Sequence, residues 1–249
     1  MLKKTFSLTL LSAMLCMQLA SAETILLDKA TALVPQGWVV ADDDLKFKKD
    51  TKAVLNDQGQ VVEGVLNSDT FLRPTGWKNM IIDCTYEYSS GIVFPYYYGG
   101  ISFNSQVPVQ TYGHVRYKSG EKVVFSADGT ILSGVISDKA TFSLQSNKYG
   151  FVTFKDDTRL NFDEQGHILN GVLEDDTYLR PLGFANNKNT MAGFLEFKGN
   201  RAISFTKDGF VTEGELKKEM VWKQPNGSTI TLPAKKAISF AADGTAKVK

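Results

Sequence analysis

Short runs of period two recur along this chain, each leading into a glycine-marked turn. Val123 and Phe125 stand one residue apart in "KVVF", as do Ile203 and Phe205 in "RAISF", and "KAVLN", "TRLNF" and "KAISF" repeat the scheme. Such spacing predicts strands with one buried face. The triplets "DQG", "ADG", "EQG", "KDG" and "ADG" that follow predict hairpin turns, because glycine takes positive φ freely and Asp or Gln tolerates the neighbouring positions. Capped runs of helical period are lacking from Glu23 onward, and β-branched and aromatic residues recur between the turns. The expectation is an all-β protein.

The hairpins form a repeat. A phrase of the form G-x-V-x-x-G-V-L reads "GQVVEGVL", "GTILSGVI", "GHILNGVL" and "GFVTEGEL", with paired glycines Gly59 and Gly64, Gly129 and Gly134, Gly166 and Gly171, and Gly209 and Gly214. A truncated copy, "DGTAKV", holds Gly244. Successive first glycines are 70, 37, 43 and 35 residues apart, so one copy is read as worn, between Gly59 and Gly129. The second glycine lies inside a strand, where it marks a bulge or a close approach between backbones. A further phrase, "DTFLRPTGW" from Asp69, returns as "DTYLRPLGF" from Asp176, 107 residues later. Variants stand at Asp28 ("DKATALVPQGW") and Asp138 ("DKATFSL"). Its proline cannot donate to a ladder, so the phrase ends a strand and turns the chain.

A unit of three or four short strands cannot bury its apolar face alone and must lean on its neighbours. The fold expected is a set of tandem antiparallel β-hairpin repeats in an open stacked sheet or solenoid. A small closed propeller of short blades is the alternative, suggested by a chain that starts late in one unit and stops early in another. Segments such as "FDEQGHILNGVL" and "FTKDGFVTEGEL" resemble MORN-type repeats, including the variant of bacterial exported proteins described as antitoxin-like. The likeness covers Lys46 to Gly76 and Val115 to Leu216, with a remnant at the C-terminus. It implies a scaffold for protein or surface contacts.

The N-terminus changes the picture of location. Lys3 and Lys4, an apolar run from Phe6 to Leu19 and the small residues Ala20-Ser21-Ala22 predict a cleaved signal peptide over residues 1–22. Residues 23–249 are then a single β-repeat domain of about six units, with the degenerate unit at 81–115. Export places the protein in the periplasm or outside the cell. The apolar run is too short for a membrane-spanning helix, and bulky Met14 and Leu15 before Cys16 argue against a lipid anchor. The formal net charge of +1 falls by two when Lys3 and Lys4 leave, so no strong field is expected to draw nucleic acid. Of the two cysteines only Cys84 lies beyond the leader, which excludes an intramolecular disulfide.

Candidate chemistry is sparse. His167 follows a turn glycine where other copies carry Gln60, Thr130 or Phe210, and His114 enters an alternating run. Neither joins a cluster with metal-ligand spacing, and no nucleophile elbow or phosphate loop is present. The pairs Asp156-Asp157 and Asp175-Asp176 and the triplet Asp42-Asp43-Asp44 lack a calcium-loop pattern. Asp176, with its mates Asp69 and Asp138, reads as a strand-entry residue bonding to the backbone just after it. "NGS" at Asn226 reads as a hairpin turn. No catalytic residue, metal or cofactor is expected.

The worn unit is the anomaly. There the glycine phrase gives way to Tyr86, Tyr88, Phe94, Tyr96, Tyr97 and Tyr98. Tyrosine joins a large apolar area to a polar tip, which suits a contact patch. The reading that follows is an exported, non-catalytic binding or structural scaffold of the bacterial cell envelope, acting through protein contacts. A module for cell-wall carbohydrate and an envelope hydrolase are the alternatives.

Overall fold

The computed structural model describes residues 22–77, 82–83, 95–98, 101–104, 113–144, 151–184 and 193–249, with 82–83, 95–98 and 101–104 described by their backbone. Nearly all regular structure among them is strand. β1 (Glu23–Leu26) is followed by a short hairpin, β2 (Thr31–Ala32) and β3 (Lys46–Phe47), and a long one, β4 (Lys52–Leu55) and β5 (Val61–Val65). Next come β6 (Thr70–Leu72), β7 (Ile82–Asp83), β8 (Pro95–Tyr98), β9 (Ile101–Asn104) and β10 (Val115–Tyr117), then the long hairpin β11 (Lys122–Phe125) and β12 (Ile131–Val135). The short pair β13 (Ala140–Ser143) and β14 (Phe151–Phe154) precedes β15 (Arg159–Phe162) and β16 (Ile168–Val172). The short pair β17 (Thr177–Leu179) and β18 (Leu195–Phe197) precedes β19 (Ala202–Phe205) and β20 (Val211–Glu215). Last are β21 (Met220–Lys223), β22 (Thr229–Leu232), β23 (Ala237–Phe240) and β24 (Ala246–Val248).

The long hairpins line up in one sheet of 11 strands, in the order β1-β4-β5-β11-β12-β15-β16-β19-β20-β23-β24. Every neighbouring pair is antiparallel. An odd number of strands paired this way leaves β1 and β24 running in the same direction, so they cannot close the ring by an antiparallel step. Each has one neighbour, and the sheet is open. This removes the propeller and establishes the open stack. The short hairpins β2–β3, β6–β10, β13–β14, β17–β18 and β21–β22 contribute the buried side chains of a second layer, making a two-layer fold. Between the layers lies one apolar core, running from Leu27 to Ala246.

Four rings show why the second glycine recurs. A Cβ added at Gly64 would lie 2.5 Å from Phe47 Cδ1, at Gly134 2.5 Å from Tyr117 Cδ1, at Gly171 2.7 Å from Phe154 Cδ1 and at Gly214 2.8 Å from Phe197 Cδ1. The close approach is therefore ring on backbone, between a short hairpin and the long one after it. The bulge is a separate feature: the register shifts at Leu55, Phe125, Phe162 and Phe205, upstream of these glycines. Three of the rings also reach the next long hairpin edge-on, Phe47 to Phe125, Phe154 to Phe205 and Phe197 to Phe240, at centroid separations of 6.2, 6.3 and 6.1 Å. The last hairpin dispenses with both devices. β23 and β24 pair without a register shift, Val248 opposes Ile238 where a glycine would stand, and the side chain from the preceding short hairpin is Leu232.

The proline phrase has a specific task. Pro35, Pro74 and Pro181 make parallel bridges to Val61, Ile131 and Val211. The flanking residues supply the bonds: Gln36 N–H donates to Val61 O at 2.8 Å and Val61 N–H to Val34 O at 2.8 Å. Arg73, Thr75 and Ile131 repeat the pattern, as do Arg180, Leu182 and Val211. The bridge position needs no N–H, so proline fits it. The glycine two residues on then packs against the turn of the following hairpin, Gly37 at the Gly129 turn, Gly76 at Gly166 and Gly183 at Gly244. Each phrase thus fastens two adjacent long hairpins together.

Two expectations need revision. β5 pairs directly with β11, so the hairpins of Gly59 and Gly129 are neighbours, and between them the degenerate unit at 81–115 places none of its described strands in the main sheet. Its described strands lie elsewhere, β7 beside β13 and β8 with β9, and the segment is an excursion between the two strands of the β6–β10 hairpin. The acidic strand-entry residues also act at longer range than expected. Asp69 accepts from Ser119 N–H at 2.8 Å and Ser137 Oγ at 2.6 Å, and Asp176 from Gly199 N–H at 2.8 Å and from Lys217 Nζ. The local bonds come from Thr70 and Thr177, whose hydroxyls donate to carbonyls two residues back.

Candidate functional site

A cleft of about 710 Å³ opens where the first two proline phrases meet the Gly129 turn. The first phrase supplies Trp38, whose N–H donates to Pro35 O at 3.0 Å across the Gly37 turn and whose Nε1 donates to Gly129 O at 2.9 Å. The second supplies Phe71, Leu72, Arg73, Gly76 and Trp77. Arg73 lies over the Trp77 ring with its Cζ 4.0 Å from the centroid. A Cβ at Gly113 would sit 2.5 Å from Trp77 Cε3, so glycine is required where the chain returns from the excursion. His114, next in sequence, lines the cleft too. Trp38, Trp77 and His114 are half-buried, whereas Arg73 and Phe71 are exposed.

The acids come from loops. Asp42 holds its loop by accepting Asp44 N–H on Oδ1 at 3.0 Å. Asp128 Oδ1 accepts from Thr130 N–H at 3.2 Å, from Thr130 Oγ1 at 2.6 Å and from Ser126 Oγ. Behind it runs a chain of hydroxyl oxygens, Ser126 Oγ 2.9 Å from Thr130 Oγ1 and Thr130 Oγ1 3.0 Å from Thr75 Oγ1. Thr75, Ser126 and Thr130 are the buried polar residues among those described. Burial works to raise the Asp128 pKa, but the hydroxyl and backbone donors of Ser126 and Thr130 together outweigh it and hold the carboxyl below its usual range. It is an anion at neutral pH, with one oxygen locked and Oδ2 turned to none of these donors.

The other side of Trp38 borders a second, shallower hollow with Gln36, Asn56 and Gln60. There Gln60 Nε2 donates to Trp38 O at 3.0 Å. The two hollows together hold the indole in place from its backbone and its ring nitrogen.

Of the aromatic residues expected to form a contact patch, Tyr86, Tyr88 and Phe94 lie outside the described residues. Tyr96, Tyr97 and Tyr98 belong to β8, with Tyr96 opposite Phe103 and Tyr98 opposite Ile101 on β9. The cleft residues went unread because the proline phrase looked like punctuation; the tryptophan after its glycine was the available signal. The excursion leaves the cleft wall after Trp77 and re-enters at Gly113, so the aromatic anomaly and the cleft are adjacent in the chain. His167 pairs through Nδ1 with Asp163 Oδ2 at 2.7 Å in the Gly166 turn. Among the described residues no three His, Cys, Asp or Glu side chains gather as a metal site, and no helix is long and apolar enough to cross a membrane. No family model, curated protein or solved structure matches the chain.

Proposed function

We propose that this is an exported, non-catalytic binding scaffold of the bacterial cell envelope, and that its ligand, a protein or an envelope polysaccharide, seats in the cleft between Trp38 and Trp77. The cleft itself carries the reading. Its volume falls in the range of about 300–1,000 Å³ usual for ligand sites, and its lining joins aromatic surface to a few fixed polar groups. The rigid frame supports it, since the cleft is fastened by two proline phrases and a buried hydroxyl chain, and preorganised sites lose less entropy on binding.

A hydrolase is the second reading, because Asp42, Asp128 and His114 line one concavity. Against it stands the lowered pKa of Asp128, since a general acid in sugar cleavage needs a raised one. The test is sedimentation with an insoluble bacterial cell-envelope fraction. The protein is expected to co-sediment, Phe71→Ser to cut retention at least fivefold, and Phe151→Ser, more exposed and outside the cleft, to change nothing. Equal retention of both variants would overturn the cleft, and steady release of reducing ends from that fraction would favour the hydrolase.

A further inference from the structure

We infer that the occupant of the cleft is a neutral, hydroxyl-rich saccharide segment, an inference that rests on the binding reading above. The polar lining decides the class. Asp42 and Asp128 are each anchored through Oδ1, which leaves a second carboxylate oxygen as a placed acceptor. Arg73 offers planar N–H donors from its station over Trp77. A ligand that satisfies acceptors and donors within one small volume needs groups that do both, and the hydroxyl is the common group that does. Phe71 and the indole of Trp38 present the apolar surface against which the C–H faces of a sugar ring can lie.

Other classes fit less well. Two carboxylates against one guanidinium leave the lining net negative, which repels phosphate, uronate and nucleic acid. A wholly apolar ligand would cover the second oxygens of Asp42 and Asp128 and the guanidinium of Arg73 without offering them hydrogen bonds, which opposes binding. An extended peptide joining by strand addition needs free backbone groups. Here Gly129 O is taken by Trp38, and Thr130 N–H is taken by Asp128 and Ser126.

The experiment follows tryptophan fluorescence and titration calorimetry of the full protein with four probes: cellotetraose, chitotetraose, tetragalacturonate and a proline-rich decapeptide. At least one neutral tetramer is expected to bind saturably and at least tenfold more tightly than tetragalacturonate. Asp128→Asn and Phe71→Ser are each expected to weaken it tenfold or more, with unchanged circular dichroism. Phe71 is exposed, so its variant reports on binding even if Asp128→Asn unsettles the Gly129 turn. If neither neutral tetramer binds while Phe71→Ser still loses envelope retention, the saccharide is wrong and the cleft stands; saturable decapeptide binding in place of sugar points the same way. If envelope retention is also indifferent to Phe71, both inferences fall.

Discussion

Two neighbouring seams of the main sheet differ in how they are joined. Between the Gly129 and Gly166 hairpins, β12 meets β15 in three aligned pairs, Ser133–Asn161, Gly134–Leu160 and Val135–Arg159. Between the Gly166 and Gly209 hairpins, β16 meets β19 in the equivalent three, Asn170–Ser204, Gly171–Ile203 and Val172–Ala202. The first seam has a second fastening, the phrase that bridges Pro74 to Ile131 and lays Gly76 on the Gly166 turn. At the second, the equivalent stretch of chain reads Leu144-Gln145-Ser146-Asn147-Lys148, without proline or glycine. Ladder bonding is thus constant, while the phrase fastens the first seam and the second, unfastened in this sense, lacks it in sequence, and local opening should follow the phrase.

The largest effect expected separates a fastened turn from a bare one. Gly166 (φ +87) sits against Gly76, where a Cβ at Gly76 would lie 2.6 Å from Gly166 Cα, whereas Gly59 (φ +72) has nothing within 4 Å of its added Cβ. Gly59→Ala should cost about 1 kcal/mol for the left-handed backbone. Gly166→Ala adds overpacking against backbone that cannot swing aside, for a total of about 3 kcal/mol. Urea unfolding with unchanged m-values reads both. Equal losses would mean that the glycine contact fastens nothing.

Next comes the aromatic link. Phe154 on Phe205 is a ring contact across the unfastened seam, and Phe47 on Phe125 is its counterpart across a seam that also has the Pro35 bridge. Phe154→Leu and Phe47→Leu should each cost about 2 kcal/mol globally, as partial truncations of buried rings. Their local effects should diverge. Amide hydrogen exchange in β16 and β19 should accelerate at least tenfold more in Phe154→Leu than exchange in β5 and β11 does in Phe47→Leu. Matching acceleration at both seams would erase the distinction between them.

Much of this fold was legible in the alternating runs and glycine turns, because both signals are local: Ile203 and Phe205 share a face whatever surrounds them. What escaped was every feature set by a residue far along the chain. Gly171 needs to be glycine because Phe154 lies on it, and Asp69 faces Ser119 and Ser137 rather than its own strand. The 70-residue gap between Gly59 and Gly129 looked like a lost repeat because the excursion is about one unit long, and spacing alone cannot tell an insertion from an eroded copy. The cleft was hidden for the same reason. Trp38 and Asp128 are 90 positions apart in sequence and meet because two phrases cross the same turn.

The acidic residues sharpen the comparison under a change of pH. In the fastened region Asp69 accepts from Ser137 Oγ and Ser119 N–H and faces Arg116 at 3.2 Å. These contacts, the Ser137 bond foremost, hold its carboxyl below the usual range. Asp138, its mate in the connector of the unfastened seam, has Arg116 at 3.6 Å and is more exposed. Asp69→Asn should cost about 1–2 kcal/mol and Asp138→Asn less than about 0.5. Because the folded pKa of Asp69 is depressed, its contribution is present above about pH 4, its unfolded value, and is lost as pH falls through the folded one. The gap between wild type and Asp69→Asn should therefore narrow on acidification; a gap independent of pH would show that the carboxylate charge is irrelevant there.

The smallest effect concerns five equivalent turns, held by Asp50, Gly120, Asp157, Asn200 and Lys235 with φ of 60, 75, 54, 57 and 61°. Four of these residues carry a Cβ in the left-handed region, which glycine enters without steric cost. Lys235 offers only its N–H to Leu216 O, at 3.2 Å, so Lys235→Gly should stabilise by about 0.5 kcal/mol, relief of strain exceeding the added freedom of the unfolded chain. Asn200 sits in the same conformation at the unfastened seam, yet its side chain accepts from Lys155 Nζ at 2.6 Å and donates to Glu174 O at 3.2 Å. Both contacts join the Gly209 hairpin to the unit before it. Asn200→Gly should therefore gain nothing, and a gain equal to that at Lys235 would show that these links do not compensate for the missing phrase.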